Sequence, residues 1–255
     1  MASEHIVSSY DDELTRLNDT VGRMGGMAEA ILSSAVLAVI KRDSELAGRT
    51  VESDAQVDEL ENDVADLCIK LFALRQPMAM DLREIVSALK ISSDIERIAD
   101  YGANIAKRAI ALSQTPPVKP VHAIPRMARL AQAMIKDVLD AYLARDAEKA
   151  LEVWERDEEV DEMYTSLFRE LLTYMMEDPR NITPCTHLLF IAKNIERIGD
   201  HATNIAETIY FLVHGSQLDQ IRPKGDTSSM DVVVPPKSSN GTSGEANGLG
   251  EAKTE

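Results

Sequence analysis

The chain has 255 residues, of which 44% are hydrophobic, only 4% aromatic and 12 are glycine. Strands draw on aromatic and β-branched side chains, so this balance points to helices and argues against a sheet. A net charge of −16, from 43 acids against 27 bases, repels nucleic-acid phosphate and anionic lipid, which argues against direct binding to either, while cations are attracted.

Met1–Tyr10 lacks the basic flank and apolar core of a secretory signal. The first apolar periodicity runs from about Asp11 to Lys41. Its most apolar part, Ile31–Ile40, contains Ser33 and Ser34 and is too short for a bilayer, so a soluble cytoplasmic protein is expected. Asp43 is placed to cap a second run, which reaches Leu74 and stops at Arg75-Gln76-Pro77. A third covers Met78 to Ser113 and ends at Thr115-Pro116-Pro117, since proline lacks the N–H and restrains its predecessor. The pattern then restarts over His122–Arg145, Ala147–Glu177 and Thr183–His214, with Thr183-Pro184 read as an N-cap and a first-turn proline. Beyond Gln220 the chain turns to Pro, Ser, Gly, Asn and Lys, and residues 223–255 read as a disordered tail.

The two sets of three runs are related by a repeat. Asp94-Ile95-Glu96-Arg97-Ile98-Ala99-Asp100 recurs as Asn194-Ile195-Glu196-Arg197-Ile198-Gly199-Asp200, an offset of 196 − 96 = 100, and Asn104-Ile105-Ala106 recurs as Asn204-Ile205-Ala206. One helix earlier, Asp54-x-x-Val57-Asp58-Glu59 returns as Asp157-x-x-Val160-Asp161-Glu162, at 157 − 54 = 103. The expected fold is therefore all-α, with two pseudo-symmetric three-helix bundles over about 5–115 and 120–218.

On a helical wheel Ile95, Ile98, Ala99, Gly102, Ile105 and Ala106 form the core stripe of the third helix, with Glu96 and Asp100 one turn apart at its edge. In the second helix Val57, Leu60, Val64, Leu67 and Leu71 form the stripe, flanked by Asp54 and Asp58. If the flanks meet, four carboxylates converge in each half: Asp54, Asp58, Glu96 and Asp100, then Asp157, Asp161, Glu196 and Asp200. Like charges at this spacing repel, and a multivalent cation removes the repulsion. Oxygen ligands suit magnesium, manganese, calcium or iron, with zinc less typical. Against this stands ordinary solvated acid, with Arg97 and Arg197 at hand to neutralise it. Asp94 lies away from Glu96 on the wheel, and its counterpart is Asn194. His187 reads as structural, and His201, whose counterpart is Tyr101, reads weakly as a ligand. Gly25-Gly26 suggests close helix packing, and Cys68 and Cys185 read as buried free thiols.

Arg75-Gln76-Pro77 with Asp81-Leu82-Arg83, the Glu96 and Glu196 motifs, and Tyr174-Met175-Met176-Glu177-Asp178-Pro179 together resemble the PhoU family over about residues 5–215. That resemblance implies two three-helix bundles and multinuclear iron or zinc clusters on Glu96/Asp100 and Glu196/Asp200, with Asp54/Asp58 and Asp157/Asp161 as partners. In other members it implies magnesium or manganese. It further implies a homodimeric negative regulator of the phosphate-starvation response and of phosphate uptake. Such a regulator links the ATPase subunit of the ATP-driven phosphate transporter to a sensor histidine kinase and is not an enzyme. The competing reading is a carboxylate-bridged oxidase or metal-storage bundle, but Glu-x-x-His, the usual ligand pair of such sites, occurs nowhere in the sequence. A third reading is a plain scaffold with solvated acids.

Overall fold

The computed structural model describes residues 2–75 and 77–219, with side chains from residue 10 onward except that of residue 75. All regular structure among them is helical. The long helices are α1 (Ala2–Lys41), α3 (Ala55–Arg75), α4 (Ala79–Ser113), α5 (Ile124–Ala144), α7 (Asp157–Glu177) and α8 (Ile182–His214). Two short ones intervene, α2 (Ser44–Ser53) and α6 (Ala147–Glu155). The tail expected at 223–255 lies outside the described residues.

The runs expected as one helix each after Asp43 and from Ala147 are thus broken. At the first break the Val57 N–H reaches the carbonyl of Asp54 (2.8 Å). At the second, Arg156 N–H reaches Val153 and Glu159 N–H reaches Arg156 (both 3.2 Å). These bonds span three residues where α-helical ones span four, and the tighter step redirects the chain. Each break sets an aspartate, Asp54 or Asp157, at the amino end of the next helix, where the helix dipole favours negative charge.

Asp43 caps α2 as expected, accepting from the N–H groups of Glu45 (3.1 Å) and Leu46 (2.9 Å). Replacing it by alanine is expected to cost about 1 kcal/mol in urea unfolding, the usual worth of a cap. Thr183 is not the cap of α8. That helix begins at Ile182 after a short 3-10 turn, Pro179–Asn181, and Pro184 sits inside its first turn, where a missing N–H costs nothing.

The antiparallel pair α4 and α8 forms the seam between the halves: Lys90 lies over Phe211, Asp94 meets His201, and Arg108 lies over Phe190. α1 packs on α4, and α5 packs on α8 and α1, so one continuous core joins the two halves. Ile95, Ile98, Ala99, Ile105 and Ala106 are all fully or almost fully buried, as are Val57, Val64 and Leu71. α1 differs from one expectation. Tyr10–Lys41 is long and apolar enough to cross a bilayer, but Leu17, Val21, Met24, Ala28, Ile31 and Leu32 are spent on this core. Gly25 lets α5 approach, since a Cβ there would stand 2.4 Å from Leu139.

Polar groups also tie the halves. Tyr142 of α5 donates to Asn18 of α1 (2.6 Å), and Asn18 donates to Glu84 of α4 (2.8 Å), which also pairs with Arg145 (2.6 Å). Arg42 closes the carboxyl end of α4 by donating to the carbonyls of Leu112 (2.7 Å), Ser113 (3.1 Å) and Thr115. Cys68 and Cys185 are buried free thiols.

Candidate carboxylate sites

In the first half, Asp54 at the break before α3 shares an electrostatic neighbourhood with Asp58 and Asp100. Glu96 on α4 shares one with Glu61, Asp100 and Asp58. Asp54, Glu96 and Asp100 are half-buried, and Asp58 is exposed. Burial pushes the Asp54 carboxyl above its ordinary range, Asp58 and Asp100 push it further, and Lys107 opposes them. Burial likewise raises Glu96, with Arg97 opposing and Glu61, Asp100 and Asp58 adding. Arg97 Nε stands 3.3 Å from Glu96 Oε2, but the arginine side chain is exposed, so water and salt screen the pair. Asn104 donates to Asp100 (3.4 Å) and accepts from Lys107 (3.3 Å).

The second half is more enclosed. Asp157 is 1% exposed, Asp161 4% and Glu196 5%. Glu196 is pushed up to about 7, first by burial and then by Asp200 and Asp161, against Lys193. Lys193 donates to Glu196 Oε1 at 2.8 Å and lies 4.8 Å from the centre of the Tyr164 ring. Thr203 shares its hydroxyl proton between Asp157 Oδ1 (3.3 Å) and the Gly199 carbonyl (3.0 Å).

Acids of α3 and α4 are thus electrostatic neighbours, as are Asp161 of α7 and Glu196 and Asp200 of α8. They do not form a closed ligand shell: among the described residues no three Asp, Glu, His or Cys side chains are grouped closely enough to hold an ion. Two observations fit a cation nonetheless. Asp54 Oδ1 and Glu196 Oε2 are buried without a hydrogen-bond partner, and a buried polar atom left so costs about 1–3 kcal/mol. Oxygen-only donors of this kind suit hard ions.

Asp94 stands apart from these groups. Its Oδ1 meets His201 Nδ1 at 2.7 Å and Asn204 Nδ2 at 3.4 Å across the seam. The Tyr101 and His201 rings lie 5.6 Å apart, and Arg197 lies 5.6 Å over Tyr101. His201 is thus a seam residue beside Asp94, and Arg197 leaves Glu196 to Lys193. The Asp94–His201 pairing was invisible to the wheel, although the loss of symmetry at both positions (Asn194, Tyr101) was a signal. Trp154 donates to Glu207 (3.0 Å).

The family model described as the PhoU domain matches residues 21–109 and 124–209; the starts differ by 103 and the ends by 100, the two offsets of the internal repeat. The chain is 51% identical over 230 residues to the phosphate-specific transport system accessory protein PhoU homolog of Rhizobium meliloti, covering 90% of this chain and 97% of that one. It is 52% identical over 228 residues to the homolog of the same name from Caulobacter vibrioides, at 89% and 99% coverage. The crystal structure of PhoU from Pseudomonas aeruginosa superposes with a TM-score of 0.78 at 39% identity, over 81% of this chain and all of that one. The phosphate transport system regulatory protein PhoU from Streptococcus pneumoniae gives 0.77 at 29% identity, over 83% of this chain. With both halves matched in order and these identities over nearly the whole chain, the protein belongs to the PhoU family.

Proposed function

We propose that the protein is the accessory regulator of a phosphate-specific transport system, restraining uptake and repressing the phosphate-starvation response when phosphate is plentiful. The observation that carries this reading is half identity, over about nine-tenths of the chain, to proteins named for that role. It acts by binding and not by catalysis. As a cytoplasmic homodimer, peripheral to the membrane through its partners, it connects the transporter's ATPase subunit with a sensor histidine kinase. A difference in its affinity for the phosphate-replete and starved states of those partners shifts the kinase's equilibrium. Pull-downs at high and low phosphate test this: recovery of a transporter or kinase partner in at least one condition is expected, and recovery of neither in both refutes it.

Metal ions belong to the same reading. Asp54, Asp58, Glu96 and Asp100 would hold ions in the first half, and Asp157, Asp161, Glu196 and Asp200 in the second. Magnesium, manganese, iron or zinc supplies positive charge that cancels the mutual repulsion of these acids and ties α3 to α4 and α7 to α8. Protein purified without chelators is expected to carry metal, and the combined Glu96→Ala, Asp100→Ala, Glu196→Ala, Asp200→Ala variant to lose most of it. Equal metal content by elemental analysis would remove the claim. Dioxygen consumption after anaerobic iron loading separates this reading from the oxidase; none is expected.

A further inference from the structure

The two halves carry the same acids but different neighbours. At the offset of 100, Lys193 of α8 corresponds to Ser93 of α4; at the offset of 103, Tyr164 of α7 corresponds to Glu61 of α3. In the second half the Lys193 ammonium sits over the Tyr164 ring at 4.8 Å and donates to Glu196 at 2.8 Å. In the first half the same two places hold an exposed hydroxyl and an additional carboxylate, and Glu61 adds to the repulsion felt by Glu96. The first group therefore holds five acids. The second holds four, one of them, Glu196, paired with a lysine.

The cations near the first group are of another kind. The Arg97 side chain is 54% exposed, and Lys107 is exposed on the outer face, so water and salt screen both. The Lys193 side chain is 30% exposed and gripped from two sides. An aromatic face and a carboxylate each contribute more when desolvated.

We propose that Lys193 is the built-in cation of the second carboxylate site. A multivalent ion then enters the first site freely, and the second only by displacing this ammonium, so that the halves bind metal with unequal affinity. The inference rests on the metal reading above and adds to it the control of the second site. An independent observation leaves room for a second donor or ion: Glu196 Oε2 is buried with no hydrogen-bond partner even while Lys193 holds Oε1. With Lys193 removed, both carboxylate oxygens face an acidic, water-poor pocket, the setting in which a hard cation binds best.

The test is a reciprocal exchange in the full chain, stripped with chelator and titrated with manganese(II) alone at constant pH. Free ion is counted by its electron paramagnetic resonance signal, and circular dichroism verifies the fold. The wild type is expected to show a tight and a weak class of sites. Lys193→Ser is expected to tighten the weak class by about tenfold, the scale on which a residue bonded to a metal ligand alters affinity. Ser93→Lys is expected to weaken the tight class by a similar factor. Manganese binding by the wild type with both exchanges silent overturns the role of Lys193 and leaves the metal reading standing. No binding by wild type or variants overturns both. Should one exchange fail to fold, the other decides alone.

Discussion

In protein freed of divalent ions, stability is expected to fall as pH rises from about 5 to about 8, and Glu196 is the group responsible for most of the slope. Its carboxyl titrates at an ordinary 4.5 in the unfolded chain and at about 7 in the folded one. Between those values the folded state keeps a proton that the unfolded state has lost, so each increment of pH favours unfolding. The contribution is fully present below 4.5 and is lost as pH passes 7; the span corresponds to about 3 kcal/mol. Asp54 and Glu96 are raised for the same cause and add in the same direction. His187 is lowered by burial and by Arg108, so it contributes the opposite sign through its ordinary range, but less, because its ring is not fully enclosed. Glu196→Gln isolates the main effect. The amide keeps an acceptor for Lys193 and has nothing to ionise, so its urea-unfolding profile is expected to be flatter than the wild type's and to cross it near neutrality. Parallel profiles for the two proteins would show that Glu196 is not the titrating group.

The second large effect belongs to the seam of α1 and α4. A Cβ at Gly102 would lie 2.7 Å from Ile31 Cγ2 and 3.4 Å from the Leu32 backbone nitrogen. Ile31 is β-branched and buried, so its methyl cannot swing clear, and the nitrogen belongs to the helix itself. Gly102→Val adds a branched side chain to that contact and is expected to cost about 3 kcal/mol, the upper end for overpacked cores. Gly199→Ala is the control. The nearest neighbours of its new methyl are Val160 at 3.5 Å and Asp157 Oδ1 at 3.7 Å, ordinary contact distances. The gain from replacing a helical glycine is up to about 1 kcal/mol. Thermal unfolding followed by circular dichroism should therefore move in opposite directions for the two variants. A neutral Gly102→Val would mean that α1 and α4 do not pack as tightly as described.

The two sites differ in how far a wheel could see them. Val57 and Ile98 announced themselves as core by spacing, and Asp58 and Glu96 as flank. That the flanks of α3 and α4 would turn toward one another was an assumption, which the electrostatic coupling of Asp54 with Asp100 and of Glu96 with Asp58 supports. That the second site would be the more buried of the two was not legible, because exposure depends on how α7 lies against α8. Lys193 was passed over for the same reason. On the wheel it is one more base; in the fold its ammonium has Glu196 on one side and Tyr164, from another helix, on the other. The breaks at Asp54 and Arg156 were missed because no proline or glycine marks them, and a 3-10 step costs too little to need one.

Residues close together along a helix impose the features that were settled before any packing was known: the helical class, the core stripes, the Asp43 cap, the repeat at offsets of 100 and 103, and the acid pairs one turn apart. Each arises from the 3.6-residue period and the backbone's own hydrogen bonds, which act between residues a few places apart. The tertiary structure alone decided the shared core of the two halves, the Asp94–His201 contact, and the unequal enclosure of the two carboxylate groups. These depend on how far each helix is rotated against its partners. That rotation is set by the packing of side chains such as Ile31 against Gly102 and Leu139 against Gly25, distant in sequence and joined only when the core closes.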